Sequence, residues 1–149
     1  MPDSIRRRLR DRAIATLTGL ATTGAHVWPV REHRPLGPDE LPALLVLVDD
    51  GRAGITRSSF GSTERMARLV IEAIVRQDDA YDDVMEAVLA EVEVALAADP
   101  TLGGAMKAFD EFTLGTKRTE PVGEIVVVRQ VIEVQCVWYA PFGAPDVSL

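Results

Sequence analysis

The sequence predicts an α+β domain, a mostly antiparallel four- to five-stranded sheet with two helices packed on one face. Three observations predict it. Apolar residues recur at helical spacing in two stretches, residues 4–20 and 79–98. Between and after them lie runs rich in β-branched residues, bounded by turn segments rich in Gly, Pro and Asp. The order of these segments is α-β-β-β-α-β-β, and 149 residues suit one domain.

The first helix is expected over residues 4–20. Asp3 or Ser4 can cap it, Gly19 helps to end it, and Ile5, Leu9, Ala13 and Leu17 make one apolar stripe. After the turn at 21–24, residues 26–30 read as a short strand that Pro29 confines to an edge or an irregular end. Residues 41–50 follow. The run Ala43-Leu44-Leu45-Val46-Leu47-Val48 is apolar at every position, which predicts a central strand covered on two sides. Residues 51–63, rich in Gly, Ser and Thr, are expected to form a mobile loop or the tip of a long hairpin.

Residues 64–77 are ambiguous. Arg65, Arg68, Glu72 and Arg76 have helical spacing, but Val70, Ile71, Ile74 and Val75 favour a strand, and the turn-rich flanks decide for the strand. The second helix is expected to start at a cap on Asp79, with Asp82 and Asp83 at the positive end of its dipole. Its stripe is Val84, Val88, Leu89, Val92 and Leu96, and 97–100 ends it. Two strands, near 106–116 and 122–139, close the chain. In the last, Val126, Val128, Ile132, Val134, Cys136 and Trp138 share one face. The tail at 140–149 has little pattern and is expected to be loose or ordered by a partner.

The net charge of −7 and pI near 4.8 argue against a general nucleic-acid binder, which needs a basic surface. No segment approaches the roughly 18 apolar residues of a membrane span, and the arginine-rich start lacks the apolar core of a secretory signal. A cytosolic chain is the expectation. The charge is unevenly spread: residues 1–35 hold seven Arg against three acids, whereas 78–99 hold eight acids and no Lys or Arg. Such asymmetry predicts either distinct faces suited to head-to-tail assembly or simply two solvated helix faces.

Candidate chemistry is sparse. His26 and His33 lack a metal or general-base spacing. The acids at 78–83 suit a hard cation, but they lack the glycine and distal Glu of a calcium loop, and a helix start explains them. Gly51, Gly54 and Gly61 form no phosphate loop, and Ser58, Ser59 and Ser62 no nucleophile elbow. The lone Cys136 rules out an internal disulfide and reads as a packed thiol. No enzyme, cofactor or metal is expected.

The segment order and local wording resemble the tail terminator proteins of long-tailed bacteriophages and gene-transfer particles, the minor tail protein U kind. The likeness spans residues 4–139. It runs through "LTGLATTGAHVWPVREH", "LPALLVLVDD", "DDVMEAVLAEVEVALAADPTLGG" and "EPVGEIVVVRQVIEV". The resemblance implies a non-enzymatic virion protein that forms a homo-oligomeric ring, typically a hexamer, on the tail tube protein. The ring stops tube growth and offers a surface to the head-tail connector, while DNA passes through its lumen without specific binding. The Arg-rich start and the Pro-containing tail depart from that pattern. Candidate interface residues are Arg6, Arg7, Arg10, Arg52, Arg57, Asp78, Asp79, Asp82, Asp83, Arg129 and Glu133. Other neck or tail-completion proteins, or a small adaptor or ligand-binding α+β domain, are the alternatives.

Overall fold

The computed structural model describes residues 4–30, 37–49, 55–57, 61–141 and 143, with side chains omitted at 55–57. Their elements are α1 (Ile5–Leu17), β1 (Val27–Pro29), a 3₁₀ turn (Pro38–Glu40), β2 (Ala43–Asp49), β3 (Ile55–Arg57), β4 (Ser62–Arg76), α2 (Tyr81–Ala98), β5 (Ala108–Leu114), β6 (Arg118–Val122) and β7 (Ile125–Pro141). The α+β class stands. The strand count rises to seven because β3 and β6 are too short to stand out in the sequence.

The sheet runs β1-β2-β4-β7-β5. Beside this path, β3 pairs with β4, and β6 continues along the same edge of β7 as β5. All pairings are antiparallel except β1 with β2. The central ladder is β4 with β7, in continuous register from Ser62 opposite Pro141 to Arg76 opposite Val127. Side chains alternate across it. Ala67, Leu69, Ile71, Ala73 and Val75 meet Cys136, Val134, Ile132 and Val128 on one face, with Leu44 and Val46 from β2 beside them. Residues 65, 68, 72 and 76 carry their charges at spacings that suit a helix, yet a step of four also preserves strand parity. Arg68, Glu72 and Arg76 thus share the opposite face.

Both helices lie on the first face. Ile5, Leu9, Ala13 and Leu17 of α1 are buried as expected, and Ser4 caps the helix by accepting from Arg7 N–H at 3.2 Å. The stripe of α2 is Met85, Val88, Val92 and Leu96, with Val84 and Leu89 only half-buried at its flanks. Asp79 does not cap it: the N-cap is Ala80, and the Asp78 carboxylate accepts the Ala80 N–H at 2.9 Å to form the preceding turn. The expectation that β2 is covered on two sides holds only at its start. Leu44 and Val46 are fully buried under the helices; on the other face Ala43 and its partner Ile74 are buried, but Leu47 is 37% exposed. Val126 shares the parity of Val128 but is exposed at the hairpin tip, outside the core cluster.

The junction after α2 holds the helices together. Asp99 accepts from Gly103 N–H (2.9 Å), from Thr16 Oγ1 (2.9 Å) and from Arg12 Nε (3.1 Å), so one carboxylate ties the end of α2 to α1. Leu102 adopts φ +45° and is buried, and Gly103 follows at φ +67°. The positive φ favours glycine there, and a Cβ on Gly103 would come within 2.8 Å of the Arg12 side chain and displace it.

Core packing should dominate stability. Ile71→Ala is expected to lower the unfolding free energy by about 2–5 kcal/mol in urea titrations. Val94→Ala, on the exposed side of α2, is expected to stay within about 0.5 kcal/mol of the parent.

The Asp99 hub predicts a pH signature. The Gly103 N–H, then Thr16 and Arg12, lower its pKa below the ordinary 3.8. A depressed carboxylate contributes stability above the unfolded pKa and loses it as pH falls through the folded one. Asp99→Asn should therefore be less stable than the parent at neutral pH, with the deficit shrinking below pH 3.8, as read from urea midpoints across the acid range.

Candidate functional site

The candidate residues fall in three places. Arg6, Arg7 and Arg10 lie on the solvent side of α1, where Arg10 hydrogen-bonds Asp11 (2.9 and 3.0 Å) and Arg7 lies 3.7 Å from the same carboxylate. Asp78, Asp79, Asp82 and Asp83 gather at the start of α2, all exposed. Arg129 and Glu133 lie on the open face of the sheet. Arg52 and the Arg57 side chain lie outside the described residues, as do His33, Ser58, Ser59 and most of the 51–63 loop and the C-terminal tail.

The open face carries two ion-pair clusters that the linear sequence concealed. Arg68 reaches across to β2 and β7: its guanidinium donates to both oxygens of Asp49 (2.7 and 3.0 Å) and to Glu133 (3.2 Å). The Asp49 hydrogen bond, more than the Glu133 charge, raises the Arg68 pKa above its ordinary value. Arg129 bonds Glu72 on β4 and lies 2.6 Å from Glu120 on β6. Further along, Glu64 accepts from the Tyr139 hydroxyl at 2.8 Å and thereby raises its pKa. Lys107 sits over the Tyr139 ring. Apart from Arg129 and Glu120 in one hairpin, the hydrogen-bonded partners are cross-strand neighbours separated by 19 to 75 positions in the chain.

Beneath the β6–β7 hairpin, Glu72, Arg118, Thr119, Glu120 and Arg129 line an open cleft of about 530 Å³. Arg118 stands opposite Arg129 across the strands. Arg129 is already engaged by the two carboxylates, whereas Arg118 is exposed.

The two outer edges of the sheet differ. At β1, alternate groups such as the His26 carbonyl and the Val30 N–H face β2. The outward residues of β1 are Val27, whose N–H goes to Ala25 (2.9 Å), and Pro29, which has none, so neither of these two offers a strand donor. The other edge, β5 and β6, is exposed along its length. A bulge falls between Phe109 and Phe112, and Pro121 interrupts the donors near the tip. Between these devices, Phe112 and Leu114 stand 47% and 51% exposed. Their partners Val134 and Ile132 belong to the helix-covered face, so both project beside α2 on the same side of the sheet.

Metal and nucleophile chemistry gets no support from the positions seen. Among the described residues no group of three or more His, Cys, Asp or Glu is placed to hold a metal. His26 stacks on Trp28 with ring centres 5.6 Å apart, its Nδ1 3.3 Å from the Pro42 carbonyl oxygen. Cys136 is buried, and desolvation pushes its thiol up to about 12. It should resist thiol reagents in the native protein and react fully once the chain is unfolded, a difference that a colorimetric thiol titration reads directly.

No family model matches the chain, and no curated protein matches it. Among solved structures it is similar to a chain of the "Virion of native gene transfer agent (GTA) particle", at 15% identity and a TM-score of 0.35, covering 90% of this chain and 92% of that one. A likeness of that degree carries no argument about role. No described helix is long and apolar enough to cross a membrane.

Proposed function

We propose that this chain is a non-enzymatic structural protein of a phage-like tail, a tail terminator. In this reading it assembles with copies of itself into a ring, hexameric by resemblance. The ring caps the tail tube protein, halts its growth and receives the head-tail connector. The observation that carries the reading is the asymmetry of the sheet: one edge is blunted at Val27 and Pro29, and the other exposes Phe112 and Leu114 beyond the helices. Exposed large apolar side chains gathered at one place mark an association surface. An association surface confined to one edge suits heterologous contacts, which close into rings when the rotation allows. The order of elements is also the one the resemblance implies, and the negative net charge suits a lumen through which DNA must slide.

A ligand-binding module is the second reading, favoured by the cleft at Arg118 and Arg129. The engagement of Arg129 by Glu72 and Glu120 weighs against it.

Negative-stain electron microscopy of the purified protein should show closed rings, and adding the protein to polymerising tail tubes should shorten them. A chain that stays monomeric at every concentration and leaves tube lengths unchanged would sink the proposal.

A further inference from the structure

The helical layer carries opposite charge on its two outer flanks. In α1, Arg12 and Thr16 lie on one side of the buried stripe and reach Asp99 at the end of α2. Arg6 and Arg10, spaced i and i+4, lie on the other side of that stripe, turned away from α2. In α2, Asp82, Glu86, Leu89 and Glu93 follow one another at i, i+4, i+7 and i+11 and so share a flank. Lys117, from the link between β5 and β6, reaches Asp82 at 2.8 Å, which identifies this flank as the one beside β5 and β6. The α1 side of α2 is the opposite flank, with Val84, Glu91 and Ala95.

The acidic flank, beside β5 and β6, borders a step in the surface. Its wall is acidic, Glu86 and Glu93 being exposed, and its floor is Phe112 and Leu114 on the uncovered part of the sheet. Asp110 and Glu111, exposed at the β5 bulge, add to the negative field. The basic flank and the acidic step therefore lie at opposite ends of one layer, with Val27 and Pro29 of β1, at the basic end, offering no outward strand donor.

We infer that the acidic step between α2 and β5 receives the Arg6–Arg10 flank of α1 from a second copy of this chain. The inference rests on the ring reading and names the surfaces that would make the ring. Guanidinium groups would meet Glu86 and Glu93, while their aliphatic stems cover Phe112 and Leu114. Because donor and receiver are different surfaces at opposite ends of the protomer, the contact is head-to-tail and repeats with each added copy. Packing through the helical layer, rather than edge-to-edge strand pairing, follows from the missing donors on β1.

Sedimentation of the full-length chain across concentration and salt tests this. Arg6→Glu/Arg10→Glu and Glu86→Lys/Glu93→Lys, each confined to the surface, should separately weaken self-association by at least about ten-fold. Mixing the two variants should restore it, since each reversed flank then faces its complement; Phe112→Ser/Leu114→Ser should weaken it without rescue. Assembly that survives both reversals, or a mixture that fails to recover, overturns this pairing while closed rings keep the terminator reading alive. Association that obeys the charge swap but yields open chains unable to cap tubes supports the pairing and removes the terminator reading. A parent chain monomeric at all concentrations overturns both.

Discussion

The register of β4 against β7 is the constraint on which the rest depends. Over fifteen consecutive pairs it sorts every side chain of the two longest strands to one face or the other. Ile71 opposite Ile132 and Leu69 opposite Val134 make the floor on which both helices rest. Glu72, Arg68, Arg129 and Glu133 fall on the other side, where water reaches them and strands place opposite charges within bonding distance. A slip of one residue would exchange the two sets and bury the ion pairs beneath the helices. Burying that many charges costs far more than the half-exposed pairs contribute where they stand.

The helical layer is positioned by a second device, the turn after α2. Asp99 satisfies a backbone donor in its own turn and two side chains of α1 at once, while Leu102 and Gly103 adopt left-handed conformations to bring the chain under Arg12. The segment "ADPTLGG" is thus a structural joint.

With the helices placed, the surface becomes directional. One end of the layer is basic and stands over β1, where Val27 and Pro29 offer no outward strand donor. The other end is acidic and stands beside exposed Phe112 and Leu114. A molecule with two unlike ends is suited to repeat itself, and closure of that repeat into a ring is what the proposed tail-capping role would require.

Much of this was legible in the chain. Period-2 and period-3.6 patterns located both helices, the long strands and most of the core, because burial imposes those periods on sequence. Charge segregation between the first 35 residues and the acids at 78–99 was equally plain. Three things were not. The short strands β3 and β6 lack the length to show a period. The second face of β2 reads as apolar whether or not anything covers it, because hydrophobicity states a preference and supplies no neighbour. Met85 displaced Val84 from the buried stripe once the tilt of α2 on β4 was set by packing. By itself, then, the sequence determined the class of fold, the amphipathic faces and the uneven charge, all of which are local properties of a few consecutive residues. Only the tertiary structure decided that Arg68 joins Asp49 to Glu133, that Arg129 is held by Glu72 and Glu120, and that the basic and acidic flanks end at opposite edges of one layer. Those are relations between residues far apart in the chain, and strand register and helix docking alone bring them together.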